Sequence, residues 1–175
     1  MQVLGMNDRK SFYIELLLAA FIIATAVVYV GRVFYFSDNS YYLNTTDALP
    51  IYSKAIYIAE SLRSMEWPSW FPYWYCGTSV SQYYPPLVYI ILGPLEVFIE
   101  NPMFVLKIFI FTGLYAGGLG IWYGYNRNVG PYYGILAAAL YVMLPYFTIS
   151  FLSWGTVAQI PIVALSPWYM VICLK

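Results

Sequence analysis

The chain has 175 residues, 62% of them hydrophobic, 21% aromatic and only 9% charged, and it contains no histidine. Eight basic residues balance eight acidic ones, which leaves no basic surface for nucleic acid and no acidic tail. A soluble domain averages about a quarter charged residues, so the balance predicts a polytopic membrane protein, all-α by its apolar runs. Any acid–base chemistry then falls to Asp, Glu, Lys or Tyr. Cys76 and Cys173 have neither metal-ligand spacing nor a nearby partner, so no disulfide framework and no zinc site are expected.

The first apolar run, YIELLLAAFIIATAVVYVG over residues 13–31, is long enough to cross the roughly 30 Å hydrocarbon core at about 1.5 Å per residue. Arg9 and Lys10 precede it and favour a cytoplasmic N-terminus. The only A-x-A, Ala24-Thr25-Ala26, lies inside the run, and bulky Val33-Phe34-Tyr35-Phe36 follows. The run is therefore read as a retained anchor, not a cleaved signal.

Residues 37–84 form an outer loop. Within it an amphipathic juxtamembrane helix is predicted over 47–66, with Thr46 or Asp47 able to cap it and Pro50 tolerated in its first turn. Ile51, Ala55, Ile58, Ala59, Leu62 and Met65 fall on one face, and Lys54, Glu60, Ser61 and Arg63 tend to the other. That is the pattern of a helix lying in the membrane interface. Trp67-Pro68 is expected to stop it. Trp70, Tyr73, Trp74 and Tyr75 then supply amphipathic rings suited to the headgroup layer or to stacking on a sugar. Gly77 gives a bend, and Tyr84-Pro85-Pro86 leads into the next segment.

Residues 85–99 form a short apolar segment interrupted by Gly93-Pro94, near or below the usual length for a span. It either crosses or dips in as a re-entrant hairpin. The second form places Arg9, Lys10, Arg127 and Lys175 together on the cytoplasmic side, and it places the Ser153–Gln159 turn on the side of the Asp47 loop. Further spans are predicted over 102–125, 132–152 and 157–174. Gly113-x-x-x-Gly117 and Gly120-x-x-x-Gly124 have the small-residue spacing of close helix contact, read as packing within the chain. The whole is one membrane domain over residues 1–175.

The chemistry concentrates at Asp47, an isolated acid at the head of a surface helix. Its carboxylate could accept a proton from an acceptor hydroxyl while a sugar leaves a phosphate-linked lipid. Lys54, Arg63 or local tyrosines could hold the phosphate, and Trp70 could stack on the sugar. The structural alternative is that Asp47 caps its helix and Arg63 pairs with Glu60 or Glu66. The loop has no D-x-D, so no cofactor is predicted and a divalent metal is unsupported. Asn44-Thr45-Thr46 fits a glycosylation sequon.

The sequence of landmarks is a first span, an acid heading a surface helix, Trp67-Pro68-Ser69-Trp70, and Tyr84-Pro85-Pro86-Leu87. Taken together it resembles the GT-C type membrane glycosyltransferases. More closely it is similar to the 6-pyruvoyl-tetrahydropterin synthase-related membrane domain family, a name that brings no pterin chemistry with it. Leu144-Pro145-Tyr146, Trp154-Gly155 and Gln159 fall where relatives have a comparable turn. The resemblance implies the N-terminal part of a GT-C-like multispanning helical bundle, with Asp47 as catalytic base and a polyprenyl-phosphate sugar as donor. It adds Tyr84 and Gln159 to the substrate-binding set of Lys54, Arg63 and Trp70. Where relatives often carry a His after the acid, this chain has Ala48-Leu49-Pro50-Ile51. Where they often carry Arg-Gly and a Glu in the later turn, it has Trp154-Gly155 and Gln159.

The expectation is an inverting membrane glycosyltransferase acting at the outer face of an archaeal or bacterial cell membrane. Its partners would be the lipid-linked donor, membrane lipids, and further helices of a longer chain or a partner subunit. The alternative is a non-catalytic membrane protein that binds lipid-linked glycans or partner subunits on the same fold. A transporter fits less well, because apart from Lys107, Glu15 and Glu96 the apolar runs hold little charge.

Overall fold

A computed structural model describes residues 6–35, 47–74, 76–80 and 85–173. Seven α-helices dominate them: α1 (Met6–Tyr35), α2 (Ala48–Arg63), α3 (Pro86–Ile99), α4 (Pro102–Asn128), α5 (Pro131–Val142), α6 (Pro145–Thr148) and α7 (Ile160–Cys173). Short π and 3-10 turns, Ile149–Ser153 and Val157–Gln159, join α6 to α7. The described residues are mostly helical, as the apolar runs predict. The exception is a two-residue antiparallel ribbon, β1 (Trp70–Phe71) with β2 (Thr78–Ser79), pairing Trp70 with Ser79 and Phe71 with Thr78.

Proline sets where helices begin. α3, α4, α5 and α6 each start on one, where the missing N–H is an orphan of the first turn anyway and φ is already helical. At α4 the cap is completed by Asn101, whose side chain accepts from the Phe104 N–H at 3.1 Å.

α4 is the hub and touches α1, α2, α3, α5 and α7. Its glycines face α7: an added Cβ would meet Ile160 from Gly113, the Val163 carbonyl from Gly117, and Pro167 from Gly120. The small-residue spacing therefore serves packing within the chain. A hydrogen bond from Trp168 Nε1 to the Ala116 carbonyl at 2.9 Å locks this seam, and one from Tyr141 Oη on α5 to the Val163 carbonyl at 2.9 Å ties α5 to α7. Outward, α1, α5 and α7 expose Leu17, Phe21, Leu136, Leu140, Ile162 and Ile172. Among the described residues α4 is long and apolar enough to cross a membrane by itself, and Pro86–Ile99 is a shorter apolar helix.

Four expectations need correction. First, the helix predicted over 47–66 ends at Arg63, before Trp67-Pro68 is reached. Met65 takes a left-handed φ of 60°, and the Met65 and Glu66 N–H groups bond back to the Leu62 and Ser61 carbonyls, which is a Schellman stop. Second, the apolar face of α2 packs on α3 and α4 of the same chain, so it is already covered.

Third, the break expected at Gly93-Pro94 is absent. α3 is continuous through both residues, so it is not a hairpin, and its 14 residues span only about 21 Å. Gly93 instead provides close approach, since a Cβ there would collide with Ile58 of α2. Fourth, the run 132–152 is not one helix. α5 stops at Val142, and Pro145 restarts the chain into a π turn.

Candidate functional site

Asp47 stands at the head of α2, as predicted, yet its side chain makes no capping hydrogen bond to the helix. Its backbone N–H reaches across the fold to the Trp154 carbonyl at 3.2 Å. That carbonyl is presented by the π turn, which closes through the Trp154 N–H on the Ile149 carbonyl at 3.2 Å; such turns re-aim the residues that follow them. Gly155, at φ 67°, lets the chain reverse, and Thr156 is tied by both its N–H and its hydroxyl to the Ser150 carbonyl. Gln159 follows, its Oε1 accepting from Tyr146 Oη at 3.1 Å. Asp47 and the Trp154–Gln159 turn thus form one edge of the molecule, where the Trp154 and Tyr146 rings are more than half exposed.

Lys54 lies elsewhere. Predicted on the polar face, it is fully buried. Its Nζ donates to the Val80 carbonyl at 3.2 Å. It also sits 5.0, 5.5 and 5.8 Å from the ring centres of Trp74, Tyr89 and Phe71. The aromatic quadrupoles and the carbonyl replace part of the lost hydration, and burial pushes the ammonium below the usual lysine range. Lys54 therefore pins the ribbon to α2 and α3 and is not presented to a ligand.

Arg63 is at the opposite end of α2. The helix has 16 residues, so about 24 Å separates Arg63 from Asp47, and the two do not share a small ligand. The Arg63 guanidinium turns to the end of α3 and away from Glu60 and Glu66. It lies 3.4 Å from the Glu96 carbonyl and 3.9 Å from the Glu100 carboxylate. Trp70 is half exposed on β1, its ring against the backbone of Gly77, where φ is +108° and a Cβ would overlap the indole. Tyr84, Tyr75 and the Asn44-Thr45-Thr46 sequon lie outside the described residues.

Two open grooves flank the ribbon. One, of about 500 Å³, runs between Trp67–Ser69, Val80 and the start of α3 at Tyr89 and Ile90. The other, of about 450 Å³, lies between the first turns of α2 and the Phe71–Trp74 loop, with Tyr57 and Glu60 on its wall. Among the described residues no group of three or more His, Cys, Asp or Glu could hold a metal ion. Sequence reasoning missed the Trp154 carbonyl, which has no side-chain signature, and gave Tyr57 no role.

Residues 81–175, which take in α3 to α7 and the Trp154–Gln159 turn, match a family described as the 6-pyruvoyl-tetrahydropterin synthase related domain, a membrane protein. Asp47, Lys54, Arg63 and Trp70 precede the matched stretch. No curated protein and no solved structure matches the chain. More than half of the sequence falls within the family match, and the chain belongs to the 6-pyruvoyl-tetrahydropterin synthase-related membrane domain family.

Proposed function

We propose that the chain is part of a multispanning glycosyltransferase of GT-C type, which moves a sugar from a polyprenyl-phosphate carrier at the outer face of a cell membrane. The observation that carries the reading is the edge built by Asp47 and the Trp154–Gln159 turn: an acid opening a helix without capping it, bound through its backbone to the turn that carries Gln159. In the reaction, the Asp47 carboxylate accepts the acceptor hydroxyl's proton as that oxygen bonds to the anomeric carbon. The bond from this carbon to the phosphate oxygen breaks with inversion, and polyprenyl phosphate leaves. Tyr146 donates to Gln159 Oε1, so the Gln159 amide N–H groups remain as donors for a phosphate or sugar oxygen.

The apolar side chains that α1, α5 and α7 turn outward support contact with lipid in several segments, since soluble monomers keep such patches small. The N-terminus then lies in the cytoplasm and Asp47 outside. The test is transfer of labelled hexose from a polyprenyl-phosphate hexose in membranes containing the protein. Asp47→Asn should lower the rate about 10²–10⁴-fold, the usual contribution of a general base, with expression and insertion unchanged. Full activity in that variant would sink the mechanism.

A further inference from the structure

The 450 Å³ groove beside α2 runs from Leu49 and Pro50 to Glu60 and the Phe71–Trp74 loop. Tyr57, Phe71 and Tyr73 meet edge to face, with ring centres 5.3 to 5.9 Å apart. Phe71 is buried beneath the other two, and Tyr73 leaves 80% of its surface open. On the α2 wall stands the exposed carboxylate of Glu60, from which Arg63 has turned away to Glu100. Ser53 lies two turns earlier on the same wall, its hydroxyl proton directed to the Leu49 and Pro50 carbonyls at 3.0 and 3.2 Å, so that its oxygen presents lone pairs. The groove therefore offers flat apolar faces together with hydrogen-bond acceptors.

We propose that this groove binds a neutral hexopyranose, its C–H face on Tyr73 and its hydroxyls donating to Glu60. Other ligand chemistries fit worse. An acyl chain would strip water from Glu60 without giving it a partner. An anionic headgroup would meet the Glu60 charge with no cation on the groove's wall. A quaternary ammonium needs ring faces converging on one point, and the place where Phe71 and Trp74 converge is already taken by the Lys54 ammonium, 5.8 and 5.0 Å from their centres. A sugar uses both features at once, and the volume suits a small ligand. The biological role of this subsite rests on the glycosyl-transfer reading, whereas binding itself does not need Asp47.

The experiment is saturation-transfer NMR on the chain in phosphatidylglycerol nanodiscs, free of sugar detergents and choline. Methyl β-D-glucopyranoside and methyl α-D-mannopyranoside serve as probes. Transfer to the ring C–H protons of at least one glycoside is expected. Tyr73→Ala and Glu60→Gln, both at exposed positions, should each raise Kd about tenfold. Trp67→Ala, in the other groove, should leave Kd unchanged. Absence of transfer from both glycosides, a Kd unaltered by Tyr73→Ala, or displacement of the glycoside by choline chloride overturns the proposal. An Asp47→Asn variant that binds sugar normally and transfers it at full rate removes the mechanism while leaving the subsite standing.

Discussion

A lysine without exposed surface survives on a helix only where its ammonium is met, and Lys54 shows how. By position it lies in the apolar stripe, three residues after Ile51 and four before Ile58, so its burial was legible in the spacing. Its charge argued for the other face. Position prevailed because the Val80 carbonyl and three rings stand where water would be. Lys54→Met keeps most of the volume and removes the charge-assisted bond, so a loss of about 2 kcal/mol is expected, read as a lower thermal midpoint. Because burial depresses the Lys54 pKa, the unfolded chain binds more protons between that lowered value and about 10.4. Stability should therefore rise with pH across this interval and fall as pH drops through the folded-state value. The Met variant should lose that slope, and a slope unchanged between neutral and alkaline buffer would contradict the assignment.

At the scale of elements, helix starts were readable and helix ends were not. Proline at the first position marks α3, α4 and α5 directly, because it acts within one turn, whereas Pro145 was read inside a single run. Ends depend on what the chain meets beyond them. α2 stops on Met65, a residue in the left-handed region with 93% of its surface exposed, where glycine would sit without a Cβ penalty. Met65→Gly should stabilise the protein by about 1 kcal/mol, measured as a raised unfolding midpoint. A lower midpoint would mean that the Schellman turn is not what ends the helix. Pro94 misleads for the converse reason. Its cost is met by tertiary contacts: Gly93 admits Ile58, and the close fit of α2 on α3 keeps the helix intact where a local reading expects a break. In the candidate site, the acid at the head of α2 was legible, whereas its tie to residue 154 depends on a carbonyl that every residue has.

For the molecule as a whole, the glycine spacing on α4 announced a close partner without naming it. The partner is α7, and the fit depends on backbone as well as side chains, because a Cβ on Gly117 would stand 2.6 Å from the Val163 carbonyl oxygen and 2.9 Å from the Tyr141 ring. Backbone cannot swing aside as a flexible side chain can. Gly117→Leu should therefore force α7 away from α4 and cost roughly 3 kcal/mol or more, seen as loss of the folded, monodisperse species in detergent. Retention of wild-type stability would show that the seam is looser than it looks. The bond from the Asp47 N–H to the Trp154 carbonyl has a further consequence for how the molecule is made. Its two ends leave the ribosome roughly a hundred residues apart, which at 5–20 residues per second is about 5–20 s. For that interval the head of α2 has no turn to close against, so this edge closes only once the turn at Trp154 has emerged.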